Sequence, residues 1–243
     1  MKPQERIIIA LDASSIEEAA SLADEIGPVG ALKVGLELIT SCGAPQVVKE
    51  ISKRGRIFFD AKFKDIPNTV LGAARAAVRM GVWMFNVHAL GGLEMMRSAR
   101  AGAEEEAKKL NAPKPLIIAV TVLTSLDKDS LGEIGFGSIK TADEIKGLAV
   151  RLALLAKKAG LDGVVASPDE IEPIKKACGE DFLVVAPGVR PKWAASNDQK
   201  RITTPAEAIN RGADFIVIGR PVTRPPTGGP KSALERILEE IKI

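Results

Sequence analysis

The sequence of 243 residues predicts a (β/α)8 barrel (TIM barrel), built as a single domain over residues 1–243. Eight short apolar segments recur along the chain, with room for a helix between each pair. Most of them are continuously apolar rather than alternating, as is typical of parallel strands covered on both faces. No linker or low-complexity stretch divides the chain, and a length of about 240 residues is usual for one such barrel.

The predicted strands are rich in β-branched and other large apolar residues, and most of them stop at Gly, Pro or a charged residue. In chain order they are RIIIALD (6–12), ALKVG (31–35), RIFFD (56–60), WMFNVHA (83–89), PLIIAVTVL (115–123), DGVVAS (162–167), FLVVAP (182–187) and DFIVIG (214–219). A doubly wound open sheet is the rival arrangement. The first strand is not followed by GxGxxG, which weakens the dinucleotide-binding form of that rival.

Helical segments fill the gaps, and several begin with a capping box, in which Glu follows Ser or Thr by three positions. These pairs are Ser15–Glu18, Thr141–Glu144, Ser167–Glu170 and Thr204–Glu207. Helix ends are marked by glycines a few residues before the next strand. They are Gly27, Gly55, Gly81, Gly160 and Gly212.

The composition excludes several classes of protein. A net charge of +3 gives no reason to expect nucleic acid as a partner. The longest apolar run, 116–123, is too short to cross a membrane, and the N-terminus does not resemble a secretion signal. Cys42 and Cys178 lie far apart in sequence, which indicates free thiols and fits a cytoplasmic location. With a single His, His88, we expect no metal site of the usual zinc type.

Charged residues follow the first three predicted strands, at the end where this fold carries its functional groups. Strand one ends in Asp12, strand two contains Lys33, and strand three ends in Asp60, with Lys62 two residues later. Side chains two positions apart in an extended chain point to the same side. We therefore expect an array of Lys33, Asp60 and Lys62, which can extend to Asp65. Its carboxylates favour the charged form of each lysine and aim it at one atom.

An ion-pair network that only stabilises the barrel is the alternative interpretation of this array. The concentration of charge at the carboxyl-terminal face favours the functional interpretation. His88 also lies at a strand end, but a lone His in such a place is more often structural than catalytic.

The segment Gly219-Arg220-Pro221 after strand eight predicts a phosphate site. Gly allows the backbone to approach a ligand, and Arg offers a forked donor. The loops after strands seven and eight are the usual phosphate site of this fold. Gln199, in the long loop 187–201, can act as a neutral donor from a candidate lid. The alternative is a surface arginine in a turn.

The segment DAKFKDIPNT (60–69) resembles the D-x-K-x-x-D-I-x-N-T signature of the orotidine 5'-monophosphate decarboxylase family. Further matching segments follow in the family's order and cover nearly the whole chain, with the bacterial type as the nearest. They are ALD (10–12), KVG (33–35), VHA (87–89), TVLTS (121–125), PGVRP (187–191), NDQKRITTP (197–205) and IVIGRPVT (216–223). KWAAS (192–196) and RPPTGGPK (224–231) depart from the pattern.

The resemblance implies decarboxylation of orotidine 5'-monophosphate to UMP without a cofactor or metal. Lys62 would stabilise and protonate the carbanion left at C6. Asp60 would lie near the substrate carboxylate and hold Lys62. Lys33 would bridge Asp60 and the ribose hydroxyls, and Asp12 would accept a hydrogen bond from a ribose hydroxyl.

The resemblance also implies a homodimer with shared sites, in which each chain reaches into the neighbouring site with Asp65, Ile66 and Thr69. Ser125 would bind the pyrimidine edge. The phosphate would be held by Gln199, Arg220 and the backbone near Gly219.

Two other functions stay open on the residues alone. Magnesium-dependent 3-keto-gulonate-6-phosphate decarboxylases and hexulose phosphate synthases also resemble D-x-K-x-x-D, but they lack the IPNT continuation and the serine that binds the pyrimidine. The other possibility is a non-catalytic barrel that binds a phosphate ligand. The intact set of Asp60, Lys62 and Asp65 disfavours it.

Overall fold

The structure is a computed structural model that describes residues 1–194 and 203–241. Within these ranges eight parallel strands form a closed barrel in which each strand pairs with the next and the last pairs with the first. They are β1 (Ile7–Ala10), β2 (Ala31–Gly35), β3 (Ile57–Phe63), β4 (Met84–His88), β5 (Leu116–Val120), β6 (Gly163–Val165), β7 (Leu183–Ala186) and β8 (Phe215–Ile218). The predicted (β/α)8 barrel is confirmed.

Helices connect successive strands on the outside of the barrel. In the described ranges they are α1 (Ile16–Ile26), α2 (Leu36–Cys42), α3 (Ala44–Ile51), α4 (Pro67–Arg79), α5 (Leu93–Leu110), α6 (Lys128–Glu133), α7 (Ala142–Lys158), α8 (Ile171–Cys178), α9 (Pro205–Asn210), α10 (Arg220–Thr223) and α11 (Pro230–Ile241). Short 3-10 turns lie at Pro3–Arg6, Ala89–Gly91, Pro168–Glu170 and Lys192–Ala194. None of the helices described is long and apolar enough to cross a membrane.

Side-chain caps begin the helices as the sequence predicts. The hydroxyls of Thr141 and Thr204 accept hydrogen bonds from the backbone N–H three residues later, and the Glu at that position bonds back. At α1 the hydroxyl of Ser15 accepts from Glu18 in the same way. The carboxylate of Glu18, however, bonds back to the N–H of Ser14 rather than to that of Ser15.

The core has two apolar layers, because side chains alternate along each strand. On β1, Ile7 and Ile9 face the helices, whereas Ile8 faces the barrel interior. The interior layer consists of Ile8, Ala31, Phe58, Met84, Ile118, Val185 and Phe215. The next inward position on each strand lies closer to the carboxyl-terminal rim, where the polar groups begin.

At the amino-terminal face of the barrel, carboxylates directly before β6 and β8 accept hydrogen bonds from the neighbouring strands. Asp214 accepts hydrogen bonds from the N–H of Val184 at 2.8 Å and from Nζ of Lys175 at 2.7 Å. Asp162 accepts from the N–H of Ile117 at 2.7 Å. Each carboxylate thereby joins two neighbouring strands. This face stabilises the barrel and leaves the opposite rim to carry function.

Glu170, at the end of the 3-10 turn after β6, is a buried carboxylic acid with 4% of its surface exposed. Its carboxylate accepts a hydrogen bond from the N–H of Ser167 at 2.9 Å. Burial raises the pKa of Glu170 to about 7, and the nearby charge of Asp169 acts in the same direction. The folded protein therefore holds this proton at pH values where the unfolded chain has lost it. The resulting stability is fully present below about pH 4.5 and is lost as the pH rises through 7.

We predict that Glu170→Gln removes the loss of stability at higher pH. The amide oxygen can still accept a hydrogen bond from the N–H of Ser167, but the side chain carries no charge. The raised pKa of about 7 against an ordinary 4.5 corresponds to roughly 3 kcal/mol. The free energy of unfolding of the variant, relative to wild type, should therefore rise by up to that amount between about pH 4.5 and pH 8. Urea unfolding at fixed protein concentration measures it. Glu172→Gln, on the exposed side of α8, is the control; a difference independent of pH would contradict the burial effect.

Candidate active site

A cavity of about 330 Å³ opens at the carboxyl-terminal rim of the barrel. Its floor is formed by inward-facing strand residues, which are Ala10, Phe58, Val120, Val165 and Val217. The floor therefore lies directly on the apolar interior layer. The volume falls in the range of pockets that bind small molecules. Polar groups from β2, β3 and the loops after β1, β7 and β8 form its walls.

Strand β3 is irregular at the rim. Phe59 pairs with Phe85, and the next pair joins Phe63 to Val87, so four steps on β3 oppose two on β4. Lys62 lies inside this bulge with φ of 51°, an uncommon value for a residue other than Gly. The prediction that strand three ends at Asp60 was wrong, because the chain pairs again with β4 after the bulge. Simple two-residue alternation therefore does not describe the chain between Asp60 and Lys62.

The predicted contacts among the charged residues are nevertheless present. Nζ of Lys62 lies 2.6 Å from Oδ1 of Asp60, and Nζ of Lys33 lies 3.5 Å from Oδ2 of the same carboxylate. Lys33 also donates to Oδ1 of Asp12 at 3.0 Å. Both Lys33 and Asp60 are buried, with 8% of their surface exposed. The array in one chain thus runs from Asp12 through Lys33 and Asp60 to Lys62, and Asp65 is not part of it.

Asn86 on β4 completes this cluster, and the sequence analysis missed it. Its Nδ2 donates to Oδ1 of Asp60 at 2.7 Å, and its Oδ1 accepts from the backbone N–H of Lys62 at 2.8 Å. Only 1% of its surface is exposed. The available signal was a polar amide between Phe85 and Val87, two positions after the inward-facing Met84.

Arginines line the cavity on the side of β7 and β8. Arg220 begins α10 directly after Gly219, and both line the cavity, as does Arg190 after β7. Arg190 is a second residue that the sequence analysis did not single out, although it lies in the PGVRP segment. Its backbone N–H donates to the carbonyl of Thr203, which joins the two ends of the intervening loop. Gln199 lies outside the described residues.

The remaining predicted residues lie near the rim but not in the cavity wall. After β5 the cavity is lined by Thr124, while Ser125 is exposed beside it. Asp65, Ile66 and Thr69 are all exposed at the start of α4. Oδ1 of Asp65 accepts from the N–H of Ile66 at 2.7 Å. The predicted roles of these residues stay predictions.

His88, at the end of β4, is half-buried and is not in the cavity wall. Burial lowers its pKa, and the positive charges of Lys64 and Lys62 lower it further against the opposing charge of Asp60. The imidazole is therefore neutral at neutral pH. Among the residues described, no hydrogen bond joins His88 to the cluster, and its structural role stays a prediction.

The fold and the site together define a class. It is a (β/α)8-barrel enzyme whose cavity is lined by lysines paired with carboxylates and by two arginines after β7 and β8. The family model described as "Orotidine 5'-phosphate decarboxylase / HUMPS family" matches residues 5–237. The chain belongs to this family.

Curated relatives and solved structures agree with that assignment. The chain is 51% identical to the orotidine 5'-phosphate decarboxylase of Syntrophomonas wolfei over the full length of both. It is 50% identical to that of Moorella thermoacetica, over 100% of this chain and 94% of the other. The crystal structure of orotidine 5'-phosphate decarboxylase from Lactobacillus acidophilus superposes with a TM-score of 0.80 at 33% identity, covering 98% of this chain and 99% of that one.

Gly35 at the end of β2 provides space for the ammonium group of Lys33. A Cβ atom at position 35 would lie 2.6 Å from Nζ of Lys33. The backbone of Gly35 is extended, with φ of −110°, so an L-residue meets no backbone strain there. The absence of a side chain at this position therefore serves the lysine rather than the strand.

We predict that Gly35→Ala displaces Nζ of Lys33 from between Asp12 and Asp60 without unfolding the barrel. A crystal structure of the variant should show the 3.0 Å contact with Asp12 lengthened beyond hydrogen-bonding distance. The melting temperature should fall only modestly, because Asp60 loses Lys33 but keeps Lys62 and Asn86. Gly147→Ala, in α7, meets only ordinary contacts and is the control. Unchanged positions of Lys33 in Gly35→Ala would show that the glycine is not required for the cluster.

Proposed function

We propose that the protein decarboxylates orotidine 5'-monophosphate to UMP and CO2 without a cofactor, and that Lys62 is the proton donor. The observation that carries this proposal is that Nζ of Lys62, 2.6 Å from Asp60, lies in the wall of a cavity that is also lined by two arginines from the loops after β7 and β8. In the closed barrel β7 lies across from β3, an arrangement that suits a ligand with a reacting ring on one side and a phosphate on the other. The relatives about 50% identical to this chain, which are named orotidine 5'-phosphate decarboxylases, support the substrate.

In the proposed reaction, the bond between C6 of the pyrimidine and its carboxylate breaks, and its electron pair stays on C6 while CO2 leaves. The carbanion is localised, so an adjacent positive charge lowers the barrier more than it stabilises the substrate. The ammonium of Lys62 supplies that charge and then transfers one proton to C6. Lys62 is left as a neutral amine and regains its proton from water.

The other members of the cluster position the reacting groups. Asp60 holds the ammonium of Lys62 and lies near the substrate carboxylate. Lys33 lies between Asp60 and Asp12, from which it can reach a ribose hydroxyl, and Asp12 has an exposed carboxylate that can accept from another. These contacts support the roles of Lys33 and Asp12 in holding the ribose.

The phosphate is held at the opposite end of the cavity in this proposal. Arg220 offers a forked donor and Gly219 allows close approach of the backbone. The cavity wall supports Arg190 as a further cationic contact. The resemblance adds Gln199, which lies outside the described residues, as a further donor. Binding energy from this remote group can hold the substrate against the reacting groups.

We further propose a homodimer in which Asp65, Ile66 and Thr69 of one chain complete the site of the other. Ile66 leaves 67% of its surface exposed. Two more exposed large apolar residues lie on the same rim, namely Leu36 after β2 at 55% and Leu123 after β5 at 38%. An apolar rim beside the open cavity supports coverage by a second chain.

We predict that Lys62→Ala loses at least about a thousandfold in kcat, because both the charge and the proton at C6 are removed. Affinity for UMP should stay within about tenfold, since the phosphate and ribose contacts remain. Release of CO2 and formation of UMP measure turnover, and calorimetry measures binding. Lys64→Ala, which removes an exposed lysine two positions away, is the matched control and should retain activity. EDTA should leave wild-type turnover unchanged, which separates this function from the magnesium-dependent alternative.

We predict that mixed dimers reveal the shared site. Lys62→Ala and Asp65→Asn should each be nearly inactive alone. After the two are unfolded together and refolded, a mixed dimer contains one site with Lys62 from one chain and Asp65 from the other. Random mixing should restore about a quarter of wild-type turnover, because half of the dimers are mixed and each has one intact site. No gain over the separate variants, with mixed dimers shown by mass spectrometry, would place Asp65 in the site of its own chain.

A further inference from the structure

We propose that Asn86 is a positioning residue, which holds the side chain of Asp60 and the backbone of Lys62 in the arrangement that the reaction needs. The inference rests on the proposed function for its kinetic consequences, while its structural consequences can be tested without turnover. It concerns one side-chain amide that makes two hydrogen bonds to the two residues nearest the reacting end of the cavity.

The two hydrogen bonds of Asn86 link the carboxylate of Asp60 to the backbone of Lys62. Nδ2 of Asn86 donates to Oδ1 of Asp60 at 2.7 Å, the same oxygen that accepts from Nζ of Lys62 at 2.6 Å. Oδ1 of Asn86 accepts from the backbone N–H of Lys62 at 2.8 Å. The amide can take only this orientation, because a carboxylate accepts and a backbone N–H donates. One side chain thus contacts the backbone of Lys62 and the carboxylate that holds its ammonium group.

The backbone of Lys62 needs such a partner. The bulge in β3 interrupts the ladder with β4, which leaves extra residues without the regular backbone pairing. Lys62 lies within it at φ of 51°, a conformation that a residue with a side chain adopts only when its surroundings require it. The amide oxygen of Asn86 replaces the missing backbone acceptor. It therefore stabilises the conformation from which the lysine side chain reaches Asp60.

Asn86 acts through these residues and not on a ligand. It is 1% exposed and does not line the cavity, whereas Asp60 and Lys62 both do. It also leaves Oδ2 of Asp60 free for Lys33, which lies 3.5 Å away. Removal of Asn86 should therefore alter the placement of the proton donor and leave the ribose and phosphate contacts in place.

The first test replaces Asn86 with Leu, which keeps the branch at Cγ, is bulkier, and makes neither bond. We expect kcat to fall by about ten- to a hundredfold, as is typical when a reacting group is displaced by about 1 Å, with KM changed by less than about threefold. Thr121→Val is the control. Thr121 is fully buried directly after β5, and its hydroxyl donates to the carbonyl of Val165, away from the cluster. It should cost stability but retain kcat.

The second test is Asn86→Asp, which has the same shape and distinguishes positioning from packing. In its protonated form the introduced carboxyl can donate to Asp60 and accept from Lys62, as the amide does. In its ionised form it cannot donate, and it repels Asp60. The surrounding titratable groups are Asp60 and Lys62 on β3, Lys33 on β2 and His88 on its own strand. The ratio of its kcat to that of wild type should rise toward one as the pH falls. The ratio for Asn86→Leu should stay flat.

The third test needs no turnover. A crystal structure of Asn86→Leu should show Lys62 outside the left-handed region, with its Nζ moved away from Oδ1 of Asp60. Asn86→Ala serves the same purpose if the leucine variant does not fold.

The outcomes separate this inference from the proposed function. Wild-type kcat in folded Asn86→Leu, or an unchanged φ and an unchanged contact with Asp60 in the crystal, would overturn the positioning role. If wild-type protein fails to decarboxylate orotidine 5'-monophosphate, the proposed function fails, and the crystal structures still decide the role of Asn86.

Discussion

The carboxylate of Asp60 is the group on which the arrangement of the site depends. It is buried at the rim of the barrel, and a buried carboxylate is stable only when it is paired and hydrogen-bonded. Lys62 and Asn86 bond to one of its oxygens, and Lys33 lies near the other. These donors come from β3, β4 and β2, so the single charge ties three neighbouring strands together. The bulge in β3, the amide on β4 and the glycine at the end of β2 are each explained by the need to bring a donor to this carboxylate.

The charged cluster lies at the carboxyl-terminal rim, whereas the contacts that stabilise the fold lie in the barrel interior and at the opposite face. Below the cluster, the interior is filled by apolar side chains, and at the opposite face Asp162 and Asp214 join neighbouring strands through backbone bonds. A backbone conformation that is uncommon for lysine can persist at the rim because the surrounding strands are fixed by that packing. The same rigidity holds the ammonium group in place before any ligand binds, so little reorganisation is needed during the reaction.

The sequence predicted the barrel and most of the charged cluster, because both depend on local patterns. Continuous apolar runs mark buried parallel strands whatever their partners are, and the spacing of Asp12, Lys33 and Asp60 at strand ends follows from the fold. The bulge could not be predicted, since it depends on how β3 pairs with β4 rather than on β3 alone. Asn86 was missed for the same reason. Its hydrogen bonds join β4 to β3, and in its own segment it is only a polar residue between apolar ones. Thr124 rather than Ser125 lines the cavity, and this depends on the path of the loop after β5.

The two oxygens of Asp60 contact different lysines. Oδ1 holds the proposed proton donor, and Oδ2 lies near Lys33, which also bonds to Asp12, the residue proposed to hold the ribose. Because this chain of contacts is complete in the structure, a ligand does not have to assemble it. In the proposed reaction, the substrate carboxylate must instead approach a carboxylate that is already in place, which is unfavourable for the ground state and is relieved as CO2 leaves. In this proposal the contacts that oppose the repulsion are made by Arg190 and Arg220, which line the cavity on the side of β7 and β8. The proposed mechanism therefore depends on these cationic groups as well as on the lysine beside the breaking bond.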